Sequence, residues 1–185
     1  MGKQSKEVRV IGGSLKGRKL FVNDPIVKPT PDRVRETLFN WLAPVISGST
    51  VLDLFAGSGV LAIESLSRGA LSATLVDHSE VVHKNLDRLM LVLELSNYSN
   101  LCLDAHELVS KTNSSKPYSI IFLDPPYGAY ELSELIEQLY KNKWADETTL
   151  VYCETNRPIK MDQNSKYHIF KESRAGEVYY ALIKR

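Results

Sequence analysis

The chain is short of several things, and each shortage removes a class of protein. Its 185 residues include two cysteines and four histidines. Cys102 and Cys153 both fall in apolar, strand-like runs, which reads as two core thiols rather than a disulfide or a metal pair. His78, His83, His106 and His168 show no ligand spacing, so no metal site is expected. No stretch approaches the ~20 apolar residues of a membrane span. Lys3, Lys6 and Arg9 lead into Gly12-Gly13 rather than an apolar segment, so a signal peptide is not expected and the protein reads as cytoplasmic, away from membranes. There is no internal repeat and no low-complexity tract. What remains is ordinary globular composition in a chain long enough for one sizeable core.

The net charge of +1 hides an asymmetry. Residues 1–41 carry nine Lys/Arg and four Asp/Glu, and the remaining residues carry fourteen and eighteen. A basic N-terminal segment on a mildly acidic body suggests contact with a polyanion, although a solvated basic terminus has the same composition. Arg9-Val10-Ile11 and Lys16 to Val22, separated by Gly12-Gly13, read as a β-hairpin whose polar positions are Arg9, Lys16, Arg18 and Lys19. Such a ribbon can lie along a phosphate backbone. Asp24 to Thr30 is a proline-containing loop. Thr30 suits a helix N-cap and Pro31 a first helical residue. Val34, Leu38, Trp41 and Leu42 then form an inward stripe, with Arg33 and Arg35 on other faces.

A strand–helix rhythm follows. Strands are expected at Val51–Phe55, Ala73–Asp77, Tyr98–Leu103, Tyr118–Leu123 and Leu150–Glu154. Helices are expected after Gly59, after Ser79, after Asp104 and around Leu132–Leu139. Tyr167–Lys171 and Val178–Ile183, linked by Ser173-Arg174-Ala175-Gly176, read as an antiparallel pair. The expected fold is α/β: a doubly wound, Rossmann-like, seven-stranded, mostly parallel sheet with an antiparallel C-terminal hairpin and a small N-terminal β-hairpin. Residues 1–29 would be the basic extension and 30–185 the main domain.

The chemistry gathers at the strand ends, where open α/β sheets bind ligands. Ile120-Ile121-Phe122-Leu123 reads as a strand buried on both faces, and it runs into Asp124-Pro125-Pro126-Tyr127. The prolines fix two φ angles. Asp124 and the neighbouring carbonyls would form a rigid set of acceptors beside the flat face of Tyr127, which suits a planar group bearing an NH2. Taken alone, the tetrapeptide could equally be a strand-ending turn with an aspartate cap. Gly57-Ser58-Gly59 allows close backbone approach at a helix N-terminus. With Ala62 it also fits the dinucleotide fingerprint, so a nicotinamide oxidoreductase is an alternative. Asp53, however, stands where a pyrophosphate would be repelled and an ammonium favoured. Asp77 can bind a ribose diol. Asp104, before Ala105, can meet an adenine amino group, cap the short helix, or do both. Asp53 could also be a buried acid serving the backbone.

Asp53-Leu54-Phe55-Ala56-Gly57-Ser58-Gly59 together with Asp124-Pro125-Pro126-Tyr127 resembles the class I S-adenosylmethionine-dependent amino-methyltransferases. Arg9 to Leu20, Thr30 to Leu42 and Ala175 to Tyr180 are similar to segments of the bacterial 16S ribosomal RNA guanine-N2 methyltransferases of the RsmD type. The resemblance spans nearly the whole chain except residues 1–6, about 106–117 and 157–166. It implies methyl transfer from S-adenosyl-L-methionine to the exocyclic N2 of a guanine in 16S rRNA, in an assembled or assembling small subunit, by a monomer. It assigns Asp124, Pro125, Pro126 and Tyr127 to catalysis. Asp53, Phe55, Ala56, Gly57, Ser58, Gly59, Asp77, His78, Asp104 and Ala105 are assigned to the cofactor, with Arg33 and Thr37 from the preceding helix. Arg9, Lys16, Arg18, Lys19 and Arg35 are assigned to RNA. A DNA adenine or cytosine amino-methyltransferase shares the acceptor turn but needs more chain for reading sequence. A non-catalytic RNA-binding scaffold would share only the hairpin.

Overall fold

The computed structural model describes residues 6–22, 30–126, 128–161 and 165–185. Two strands, β1 (Lys6–Arg9) and β2 (Lys19–Val22), form an antiparallel ribbon. Helix α1 (Asp32–Leu42) leads into β3 (Thr50–Asp53), α2 (Val60–Ser67), β4 (Ser72–Asp77), α3 (Glu80–Val92), β5 (Tyr98–Cys102) and α4 (Ala105–Ser110). Then come β6 (Ile120–Leu123), α5 (Leu132–Lys141), β7 (Leu150–Thr155), β8 (His168–Ala175) and β9 (Val178–Lys184). The main sheet has the order β5-β4-β3-β6-β7-β9-β8. The first five strands are parallel, and β9 runs antiparallel to both of its neighbours.

The chain winds outward from β3 to β5 and returns to pair β6 on the other side of β3. That reversal opens a crevice between β3 and β6, beyond the carboxyl ends of the strands. The central strands are apolar because both faces are covered. In β6, Ile120 and Phe122 join the core under α1, α2 and α3, while Ile121 and Leu123 join the core under α4 and α5. All four are fully buried. Cys153 lies in this interior, whereas Cys102 is half-buried with its Sγ 3.7 Å from the His78 carbonyl.

The N-terminal ribbon packs against the body. Val8, Val10 and Leu20 belong to the same core as α1 and α2. Beyond β1 and β2 the ladder continues through Val10 N–H to the Arg18 carbonyl (2.9 Å) and Gly17 N–H to the Val10 carbonyl (2.8 Å). The connecting loop caps the end of α2. Ser14 N–H donates to the Ser67 carbonyl (2.7 Å), Leu15 N–H to Ser67 Oγ (2.9 Å), and Ser67 Oγ in turn to the Gly12 carbonyl (2.6 Å). The approach explains the glycine at 13: its φ is +76°, and a Cβ there would run into the Ser67 carbonyl.

Helix α1 begins one residue later than the Thr30 cap implies. Pro31 is extended (ψ 149°) at the cap position and no side chain caps the helix. The closing hairpin is tighter than expected. β8 runs through Ala175, which pairs with Val178, so the turn is Gly176-Glu177 with Gly176 at φ +63°. Edge strand β8 breaks register between Ile169 and Lys171 and is largely exposed and charged, which discourages pairing with another edge.

Candidate active site

Five adjacent strands end in an acid, in spatial order. Asp104 follows β5, Asp77 ends β4, Asp53 ends β3, Asp124 follows β6, and Glu154 lies near the end of β7. A cavity of about 510 Å³ opens along this row. It is lined by Asp53, Phe55, Ala56, Gly57, Ser58, Asp77, His78, Ala105, Asp124, Pro125 and Pro126 among the expected residues. Lysine and arginine are absent from its described lining.

The glycine turn is shaped by its own backbone. Gly57 and Gly59 have φ of +48° and +71°. Ala56 N–H donates to the Val76 carbonyl (2.9 Å), and Gly59 N–H donates to the Ala56 carbonyl (2.6 Å). Gly59 does not line the cavity. Its missing Cβ leaves room for Leu86 of α3, so it sets the turn from behind. Asp77 joins the loops that follow β3 and β4: Oδ2 accepts from Gly57 N–H (3.0 Å) and Oδ1 from Ser79 N–H (2.9 Å). His78 is exposed, with Nδ1 3.8 Å from Asp77 Oδ1.

Asp104 performs the capping role, with Oδ1 accepting from Glu107 N–H (3.0 Å). Its other oxygen accepts from the Tyr130 hydroxyl (2.7 Å). Tyr130 itself lines the cavity, its ring 5.1 Å from that of Phe55. The Tyr130 hydrogen bond, aided by the Glu107 N–H, holds the Asp104 carboxyl below its ordinary value. The same bond pushes the Tyr130 phenol up to about 12.

The carboxyls toward the other end of the row are desolvated. Burial raises Asp53 to about 7, against the opposing pull of the Phe55 and Ala62 N–H groups, and the Asp77 charge adds to the rise. Asp124 is raised well above the ordinary carboxylate range, first by burial and then by the charges of Glu154 and Asp53. Buried Glu154 accepts a hydrogen bond from the Tyr152 hydroxyl at 2.9 Å.

Not every assigned residue reaches this place. Tyr127 lies outside the described residues. Arg33 is exposed, and half-buried Thr37 donates its hydroxyl to the Arg33 carbonyl (3.0 Å); neither lines the cavity, whereas Thr30 and Pro31 from the same segment do. Arg35 is a correction: it is fully buried, so it presents no surface to RNA. Its guanidinium lies 3.4 Å from Glu64 and 2.6 Å from Asp32, and donates to the Arg9 carbonyl (2.9 Å) and the Thr30 carbonyl (3.2 Å). Glu64 also accepts from Ile11 N–H (2.8 Å) and pairs with Arg68 (2.8 Å). Arg35 thus ties the basic ribbon to the cavity lip. Arg9, Lys16, Arg18 and Lys19 are exposed, Lys19 pairing with Glu7 at 3.1 Å. Thr30, Pro31, Tyr130 and Glu154 line the cavity but were not assigned to the site from the sequence, Thr30 and Pro31 being read only as the start of α1. Only Glu154 carried a signal, as the acid closing a fifth apolar run.

A family described as Conserved hypothetical protein 95 matches residues 8–184. The chain is 39% identical to the ribosomal RNA small subunit methyltransferase D of Escherichia coli K12, over 98% of this chain and 91% of that protein. It is 36% identical to the protein of the same name from Haemophilus influenzae, over 96% and 94%. The solved structure of the Escherichia coli protein yhhF superposes with a TM-score of 0.86 at 39% identity, covering 97% of this chain and 98% of that one. The strand-end acids, the acceptor turn and the docked basic ribbon therefore sit in a chain that belongs to the Conserved hypothetical protein 95 family, together with the ribosomal RNA small subunit methyltransferases D.

Proposed function

We propose that this protein transfers a methyl group from S-adenosyl-L-methionine to the exocyclic N2 of one guanine in 16S rRNA. The observation that carries the reading is a single cavity shared by the strand-end acids and the Asp124-Pro125-Pro126 turn. A cofactor pocket and an amine-holding turn facing the same space is what transfer between the two requires.

The residues present fit that cofactor. Four carboxylates and no Lys or Arg line the described cavity, which suits a ligand with an ammonium and a sulfonium and repels a pyrophosphate. This weighs against a nicotinamide dinucleotide despite the glycine spacing. Asp53 would hold the amino-acid end, Asp77 the ribose hydroxyls, and Phe55, Ala105 and Tyr130 the adenine side. When bound, the cofactor supplies a methyl group on a positively charged sulfur.

The protein's own contribution is placement. An exocyclic amine is a poor nucleophile because its lone pair is delocalised into the ring. Asp124 and the Pro125 carbonyl accept its two N–H bonds and fix the direction of the nitrogen. Good orientation lowers a barrier by on the order of 7–11 kcal/mol. The base must leave its stack to enter, and Tyr127 would then stack on it for roughly 1–3 kcal/mol. Asp124 need not be a strong base, because the amine becomes acidic once methylated.

The substrate would be an assembled or assembling small subunit, and the protein would act as a monomer. Residues 1–29 would dock RNA against the body of residues 30–185. The test of the reaction is tritiated-methyl transfer to small subunits, naked 16S rRNA and duplex DNA, with mass mapping of the modified nucleoside. Transfer to DNA alone, or to a base other than guanine, would overturn it. For docking, changing Arg9, Lys16 and Arg18 together to Ala should weaken RNA binding and lower the salt slope by about 0.9 per lost phosphate contact. An unchanged slope would leave the ribbon a solvated surface.

A further inference from the structure

The fifth acid of the row has no task in the transfer geometry above. Glu154 is 5% exposed, yet it lines the cavity alongside Asp124. Its position is well fixed. Phe122 pairs with Tyr152 and Leu123 with Cys153, so the next step along the two parallel strands sets Asp124 beside Glu154. The Tyr152 hydroxyl donates to Glu154 Oε2 at 2.9 Å. The Tyr152 ring is itself wedged edge-on against Phe122, with centroids 6.0 Å apart. A long acidic side chain would not ordinarily be carried this deep without a polar duty.

Base chemistry supplies one. Beside its exocyclic amine, adenine presents N1 as an acceptor and cytosine presents N3 as an acceptor. Guanine alone carries a donor there, N1–H next to N2–H2. A single acceptor turn accommodates any of the three amines. An ionised second carboxylate adjoining that turn matches only guanine, because it would face the lone pair of adenine or cytosine. We propose that Glu154 is the specificity residue, its carboxylate accepting guanine N1–H while Asp124 and the Pro125 carbonyl hold N2. Tyr152 is the positioning residue behind it. This rests on the transfer reaction proposed above and adds the group that selects the base.

The test uses the full chain and small subunits reconstituted with 16S rRNA carrying either guanine or 2-aminopurine at the mapped target. The analogue keeps the exocyclic amine but has an acceptor at N1. Wild-type protein should prefer guanine by about 10²-fold or more in kcat/KM, since sites built to bond a donor reject analogues lacking it. In Glu154→Gln, the Tyr152 hydroxyl holds the amide oxygen and turns the NH2 toward the base. The guanine preference should then collapse by at least ~10-fold, while S-adenosylhomocysteine binding by calorimetry stays within ~3-fold. Glu154→Asp, which keeps the charge, should slow transfer but retain the preference. An equal loss on both bases in Glu154→Gln, or a preference abolished in Glu154→Asp, would show a merely structural side chain and overturn the assignment. Wild-type protein that methylates no guanine would instead sink the reaction itself.

Discussion

The acid row runs from Asp104, set behind Tyr130 and off the cavity wall, to Asp53, Asp124 and Glu154, which line it, and its two parts differ in almost every physical respect. Asp77 and Asp104 are held by N–H and O–H donors, so their charge is compensated by the protein. Asp53 is buried and Asp124 half-buried beside other carboxylates, and both are pushed upward. In the proposed reading Asp77 meets neutral hydroxyls, which need a preorganised acceptor and little charge, while Asp104 acts from behind by holding Tyr130. The second pair is desolvated and crowded by like charge, which the cationic ligand proposed above would relieve. The difference follows from topology. Asp53 and Asp124 stand where β3 meets β6, at the centre of the sheet with helices on both faces, whereas Asp104 stands beyond the edge strand β5.

The comparison breaks most visibly at Asp124. In the proposed reaction Asp124→Ala removes an acceptor from the transferring nitrogen, so transfer to small subunits should fall by about 10²–10³-fold. S-adenosylhomocysteine affinity should hardly change, because the ligand is gripped by the rest of the row. Calorimetry paired with single-turnover tritium transfer separates the two quantities. A variant with near-normal transfer would remove Asp124 from the chemistry.

Asp53 sharpens the comparison through pH. If the ammonium of the ligand meets an ionised Asp53, wild-type affinity should weaken about tenfold between pH 8 and pH 6, as the group takes up its proton near 7. Asp53→Asn should bind about 10–100-fold more weakly at pH 8 and lose that slope. The stability effect in the free protein has the opposite sense. The folded value near 7 lies above the ordinary 3.8, so the native state holds the extra proton between them. The contribution is present in full below about pH 4 and is lost as pH rises through 7. Asp53→Asn should therefore gain on wild type by up to about 4 kcal/mol from pH 4 to pH 8. Urea unfolding of both proteins across that range measures it, and parallel curves would contradict a buried, strained carboxyl.

How far the sequence exposes this arrangement depends on where each residue's partners lie. Asp53, Asp77 and Asp124 were legible as cavity-lining acids because each closes an apolar run at a strand end; Asp104 was read the same way, but it caps α4 and holds Tyr130 without lining the cavity. Glu154 closes such a run too, but no glycine or proline follows it to flag a special turn. Arg35 was misread because charge implies exposure unless a partner is known. Its partner Glu64 is 29 residues away, inside a helix whose residues are all buried. Edge strand β8 has no alternation to betray its length, since only one of its neighbours is a strand and most of its side chains are in water. Tyr130 left no trace: its partner is 26 residues distant and nothing in a loop tyrosine announces a contact.

Tyr130 gives the smallest effect and the finest test. Its hydroxyl is the leading reason that Asp104 stays below the ordinary range, and its ring faces Phe55 across the same end of the cavity. Tyr130→Phe keeps the ring and deletes the donor. Adenosine-end binding should weaken by roughly 2–10-fold, the range of one hydrogen bond worth about 0.5–1.5 kcal/mol. A carboxylate with a depressed folded value stabilises the protein above its unfolded value and loses that contribution as pH falls through the folded one. Tyr130→Phe should therefore lower the melting temperature at pH 7, and by progressively less as pH falls below the ordinary carboxylate range through the depressed folded value of Asp104. The pH dependence separates this from a packing defect, which would lower the melting temperature equally across the range. If the loss is instead confined to acid, or S-adenosylhomocysteine binding weakens as much as in Asp53→Asn, the compensated and strained ends of the row are not the distinct environments described above.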